Sequence, residues 1–133
     1  MKISLIIFAL VIVAFFLMPN LLVASPATDI TQDEFMALQK SKESDFVLLD
    51  VRTAGEFSQG HIKGAINITH TEIANRLSEI SKDKDIIIYC RSGRRAGVAA
   101  KALEKNGFHK LFHLDGDMNG WTSNKRHIVK GNH

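Results

Sequence analysis

The sequence predicts a single α/β domain built around a small, mainly parallel sheet. Apolar runs of strand length alternate with helix-periodic segments along the chain, and neither an internal repeat nor a low-complexity stretch interrupts them. The length of 133 residues allows one domain of ordinary size. A composition of 45% hydrophobic and 23% charged residues is that of a globular protein and excludes collagen, coiled coil and whole-chain disorder.

Residues 1–27 read as a secretory signal peptide or a retained N-terminal membrane anchor. Lys2 precedes residues 3–18, in which only Ser4 is polar, and Pro19 and Asn20 then break the run before the small residues that end at Ala27. Asp29, Asp33 and Glu34 follow, with no basic residue before Lys40, so either reading sets the domain outside the cytoplasm, most simply in a periplasm. The domain itself is expected over 28–121, with a polar, basic and solvated tail over 122–133.

Within the domain, Thr31 and Glu34 form a capping box that opens a helix over 32–41, with Phe35 and Leu38 on its apolar side. The continuous apolar run 46–49 fits a strand buried on both faces. A short glycine-punctuated stretch occupies 53–64, a brief strand 65–68, and Ile73, Leu77 and Ile80 at helical spacing predict a helix over 71–80. Residues 85–89 carry the strongest strand signal and end at Cys90. The alanine-rich segment 96–105 is a helix closed by Asn106 and Gly107, 110–114 is a further strand, and 115–120 is a turn or short helix.

Charge is unevenly divided. Residues 28–90 carry seven basic and eleven acidic side chains, and residues 91–133 carry nine and three. The basic second half suits a small anion, but it lacks the interleaved aromatics of a nucleic-acid platform, so no nucleic-acid partner is expected. Cys90 is the single cysteine, which excludes an intramolecular disulfide.

A loop between a buried strand and a helix turns its N–H groups inward at the positive helix end. Cys90 opens such a loop, Arg91, Arg94 and Arg95 surround it, and Gly93 permits the tight turn. These are the surroundings in which a thiol ionises near neutral pH and becomes a nucleophile.

The motifs Asp50-Val51-Arg52 with Glu56 and Phe57, Gly60-His61-Ile62-Lys63-Gly64-Ala65-Ile66-Asn67, and Tyr89-Cys90-Arg91-Ser92-Gly93-Arg94-Arg95 together resemble the single-domain rhodanese family of sulfurtransferases. The resemblance runs from about residue 28 to Trp121. Size and leader make the exported, phage shock protein E type the most similar branch. It implies a rhodanese-like sheet with helices on both faces and Cys90 as the catalytic sulfur carrier. Arg91, Ser92, Gly93, Arg94 and Arg95 would bind the substrate, and Asp50, Arg52, Glu56 and His61 would support the loop. A small anionic sulfur donor such as thiosulfate would pass its outer sulfur to a Cys90 persulfide and on to a thiol or cyanide acceptor, without metal or organic cofactor.

A thiol partner protein is the expected contact if the domain is instead a non-catalytic sulfur carrier or redox sensor. Cysteine phosphatases and arsenate reductases use C-x5-R, which would need Arg at position 96, where the chain has Ala96; the spacing here is C-x4-R. His109 and His113 flank a strand without a neighbouring ligand set, so no metal is expected. One departure from the family is Asp117, at the second glycine of the usual L-x-G-G-x-x-x-W; an acid there is expected to repel anionic donors.

Overall fold

Five strands lie side by side in the order Thr28–Ile30, Leu111–Leu114, Asp85–Tyr89, Phe46–Asp50, Ile66–Asn67, and every neighbouring pair is parallel. The computed structural model describes residues 25–132, so almost all of the expected leader lies outside the described residues. In chain order the elements are β1 (Thr28–Ile30), α1 (Gln32–Lys40), β2 (Phe46–Asp50), α2 (Ala54–Gln59), β3 (Ile66–Asn67), two 3₁₀ turns (His70–Asn75 and Leu77–Glu79), β4 (Asp85–Tyr89), α3 (Arg94–Lys105), β5 (Leu111–Leu114) and α4 (Asp117–Ser123).

Alternation along the central strands builds two cores. Leu49, Ile86 and Ile88 face α3 and the 3₁₀ segment, while Leu48, Ile87 and Tyr89 face Phe35 of α1, Phe57 of α2 and Trp121 of α4. The buried stripe of α3 consists of Ala96, Ala99, Ala100 and Leu103, so small side chains let this helix lie close to the sheet. That approach sets the start of α3 over the C-terminal end of β4, where an α/β sheet presents its ligand crevice.

Four expectations need correction. The glycine-punctuated stretch contains α2, started by a capping box in which Thr53 accepts from the Glu56 N–H and the Glu56 side chain accepts from the Thr53 N–H. Gly55, Ser58 and Gly60 conceal this helix from a periodicity search. The expected helix over 71–80 is instead the pair of 3₁₀ turns, broken at Arg76. Thr71, Ile73, Asn75 and Ile80 are weak helix formers, and Thr69 provides no side-chain cap.

Strand β1 was not anticipated, being only three residues long. The expected tail is packed: α4 runs to Ser123, the buried Trp121 indole N–H donates to the His127 carbonyl (2.8 Å), and Val129 pairs with His61 in an antiparallel bridge. A buried indole needs an acceptor, which is why the chain folds back here. Arg126 completes the return by donating to Gln32 and Asp33 of α1. No helix among the described residues is long and apolar enough to cross a membrane.

Candidate active site

Cys90 stands at the end of the central strand β4, 1% exposed. Its Sγ accepts a hydrogen bond from the Gly93 N–H (3.0 Å), within a tight loop that turns directly into α3. Gly93 has φ +115°, and a Cβ there would stand 3.3 Å from Asp117 Oδ2. Only glycine suits both the dihedral and the space.

The start of α4 fastens the main chain under the loop. The Cys90 N–H donates to Asp117 Oδ1 (2.9 Å), and the Cys90 and Arg91 carbonyls accept from the Met118 and Asn119 N–H groups (2.9 and 3.1 Å). Arg91, Ser92 and Arg94 are exposed around the loop. Arg95 is turned aside into a bidentate pair with Glu56 (2.7 and 2.9 Å), which ties the loop to α2. This guanidinium, helped by the Thr53 N–H and hydroxyl and opposed by burial, holds the Glu56 carboxyl at about 2.

The other expected support residues lie one layer back. Asp50 and Arg52 form a buried ion pair (2.7 Å), and the Arg52 guanidinium also donates to the Gly60 carbonyl (2.8 Å). Asn67 donates to the Asp50 and Arg52 carbonyls, so the pair fixes the corner after β2. His61 is fully buried, stacked on the Phe57 ring at 3.6 Å, with its Nδ1 donating to the Phe57 carbonyl. This places the ring in the packing behind α2.

A depression of about 430 Å³ beside the loop is lined by Arg52, Glu56, Gln59, Arg91, Met118 and Asn119 among others. A larger one, about 800 Å³, lies between α1, Trp121 and the returning chain and includes none of residues 90–95. Of the two, the smaller hollow is the one that borders the loop, through Arg91.

Sequence reasoning missed His113. Its Nε2 donates to the Asp117 carboxylate (2.9 Å) and its Nδ1 stands 3.2 Å from Asp29 of β1. The hydrogen bond to Asp117 outweighs burial and raises the His113 ring above its ordinary value. The Asp117 carboxylate thus caps the Cys90 N–H and pairs with a ring beneath the loop, contacts that its expected role as a repulsive acid did not include. The signal available was the four-residue spacing of His113 and Asp117, which means little across a strand and a turn.

Fold and site together define a parallel α/β domain with a cysteine loop at the carboxyl end of its middle strand. Residues 31–124 match the Rhodanese-like domain model, and the chain belongs to that family. It is 35% identical over 96 residues to a sulfurtransferase of Allochromatium vinosum, covering 72% of this chain and 90% of that one. It is 27% identical over 84 residues to the thiosulfate sulfurtransferase GlpE of Shewanella oneidensis, covering 63% and 83%. In fold it is similar to a rhodanese-related protein of Thermoplasma volcanium, with TM-score 0.67 at 24% identity over 77% of this chain and 97% of that one.

Proposed function

We propose that the protein is a sulfurtransferase that moves a sulfane sulfur from a donor such as thiosulfate to cyanide or a thiol through a Cys90 persulfide, outside the cytoplasm. The observation that carries this reading is the Gly93 N–H aimed at Cys90 Sγ at the start of α3, a preorganised donor for an anionic sulfur. The Cys90 thiolate attacks the outer sulfur of thiosulfate; the S–S bond of the donor breaks, and sulfite leaves with the bonding pair. Cyanide then attacks the terminal sulfur of the persulfide, thiocyanate forms, and the thiolate returns. Exposed Arg91 and Arg94 draw the dianionic donor to the hollow, while Arg95 holds the loop through Glu56.

The names of the two sulfurtransferase relatives support the same chemistry. The apolar run over 3–18 supports the compartment. Cys90→Ser tests the reading, because a hydroxyl cannot form a persulfide. Thiosulfate:cyanide turnover is expected to fall by more than about a thousandfold, since removing a nucleophile can cost on the order of a millionfold, with the thermal transition unchanged. Retention of roughly a tenth of the wild-type rate would reject it, because a variant without a thiol has no covalent carrier.

A further inference from the structure

Asp117 is a buried acid in an unfavourable place. Its backbone has φ +53°, in the left-handed region that residues with a side chain rarely adopt. Its side chain is 3% exposed and sits one hydrogen bond from the main chain of Cys90. Where Oδ2 lies, a Gly93 Cβ would be 3.3 Å away, so the carboxylate is directly beneath the loop. A fixed negative charge here opposes both an anionic sulfur on Cys90 and the approach of an anionic donor.

The compensating group is His113. Its ring faces Asp117 from α4 and Asp29 from β1, and the Cys90 loop closes its third side, with Cε1 3.7 Å from the Gly93 Cβ position. We propose that His113 and Asp117 act as a charge-balancing pair under the loop, in which the carboxylate holds the Cys90 N–H while an imidazolium cancels its charge against the sulfur that Cys90 carries. Both are positioning residues and act through Cys90. The hydrogen bond to Asp117 raises the His113 titration, so the imidazolium persists to higher pH than in a free ring and is lost on the alkaline side of that titration. In its kinetic part the inference rests on the sulfurtransferase reading.

Charge balance and structural support differ in a double-variant cycle. His113→Asn leaves the carboxylate uncompensated, and kcat/KM for thiosulfate should fall about tenfold at pH 7. His113→Asn combined with Asp117→Asn removes both charges and keeps an oxygen acceptor for the Cys90 N–H; kcat/KM should return to within about threefold of wild type. Asparagine tolerates the left-handed backbone, so this exchange preserves the turn. A double variant no better than His113→Asn would overturn the proposal.

A second measurement applies where His113→Asn does not fold. Wild-type kcat/KM for thiosulfate, which reports the half-reaction before cyanide enters, should fall as pH rises through the His113 titration, and in Asp117→Asn, where the ring loses the hydrogen bond that raises it, this fall should move to lower pH. A flat wild-type profile, or an unmoved fall in the variant, would contradict the pair. Alkylation of Cys90 by iodoacetamide at pH 7 should follow the kinetic order, His113→Asn slowest. It requires no sulfur transfer. A wild type inert toward thiosulfate would therefore sink the sulfurtransferase reading, while the alkylation series would still decide for or against the pair.

Discussion

The Arg95–Glu56 pair links two roles in one contact, because Glu56 starts α2 by capping Thr53 and also holds the residue that ends the Cys90 loop. Arg95 is therefore spent on geometry, and the exposed Arg91 and Arg94 are left for the donor. Glu56→Gln keeps the shape and loses the charge-assisted fork, so kcat/KM for thiosulfate should drop about tenfold through loosening of the loop, with stability changed by about 1 kcal/mol. The pH dependence has a definite sign. Because the folded Glu56 carboxyl is depressed to about 2, its contribution is present above the ordinary carboxylate range and disappears as pH falls toward that value. The stability gap between wild type and Glu56→Gln should be constant above pH 4.5 and narrow as pH falls toward about 2; a gap that stays constant through the acid range would contradict this. At this scale a contact such as that of Asp50 with Arg52 is legible from spacing, since the two stand two residues apart at one strand end. Partners such as Arg95 for Glu56 and Asp117 for His113 were not, because loop closure and turn geometry rather than spacing bring them together.

Among the elements, buried strands and the alanine stripe of α3 were readable because their periodicity is set by burial. Helix α2 and the 3₁₀ turns were not. In α2 a cap overrides poor interior propensity, and after β3 weak helix formers settle for tighter turns against α3. The loop from β4 to α3 carries the proposed nucleophile, and in it the N–H of Gly93 reaches Sγ at 3.0 Å. One residue inserted after Gly93 moves the closing arginine to the C-x5-R position while leaving every arginine in place. If fitted N–H geometry stabilises the persulfide, sulfur transfer should fall about a hundredfold or more, the loss typical of a removed anion-hole donor. Near wild-type thiosulfate turnover in this variant would show that charge alone suffices.

For the whole molecule, the returning chain after α4 is an integral part of the fold. Removing residues 125–133 strips the Trp121 acceptor, the His61–Val129 bridge and the Arg126 contacts with α1. The loss should be on the order of 2–3 kcal/mol, lowering the thermal midpoint by about 10 °C; an unchanged midpoint would return these residues to the status of a solvated tail. Sequence composition reads this segment as solvent-facing because its polar side chains dominate, whereas its order comes from main-chain pairing and one buried indole.

The central claim is that Cys90 carries sulfur between two substrates. Its most direct test is intact-mass and peptide mass spectrometry of the purified protein, first after thiosulfate and then after cyanide. The account predicts one added sulfur atom on the peptide containing Cys90, with one sulfite released per chain, then its quantitative loss as thiocyanate. A protein that turns thiosulfate and cyanide over without ever gaining sulfur at Cys90 would contradict it.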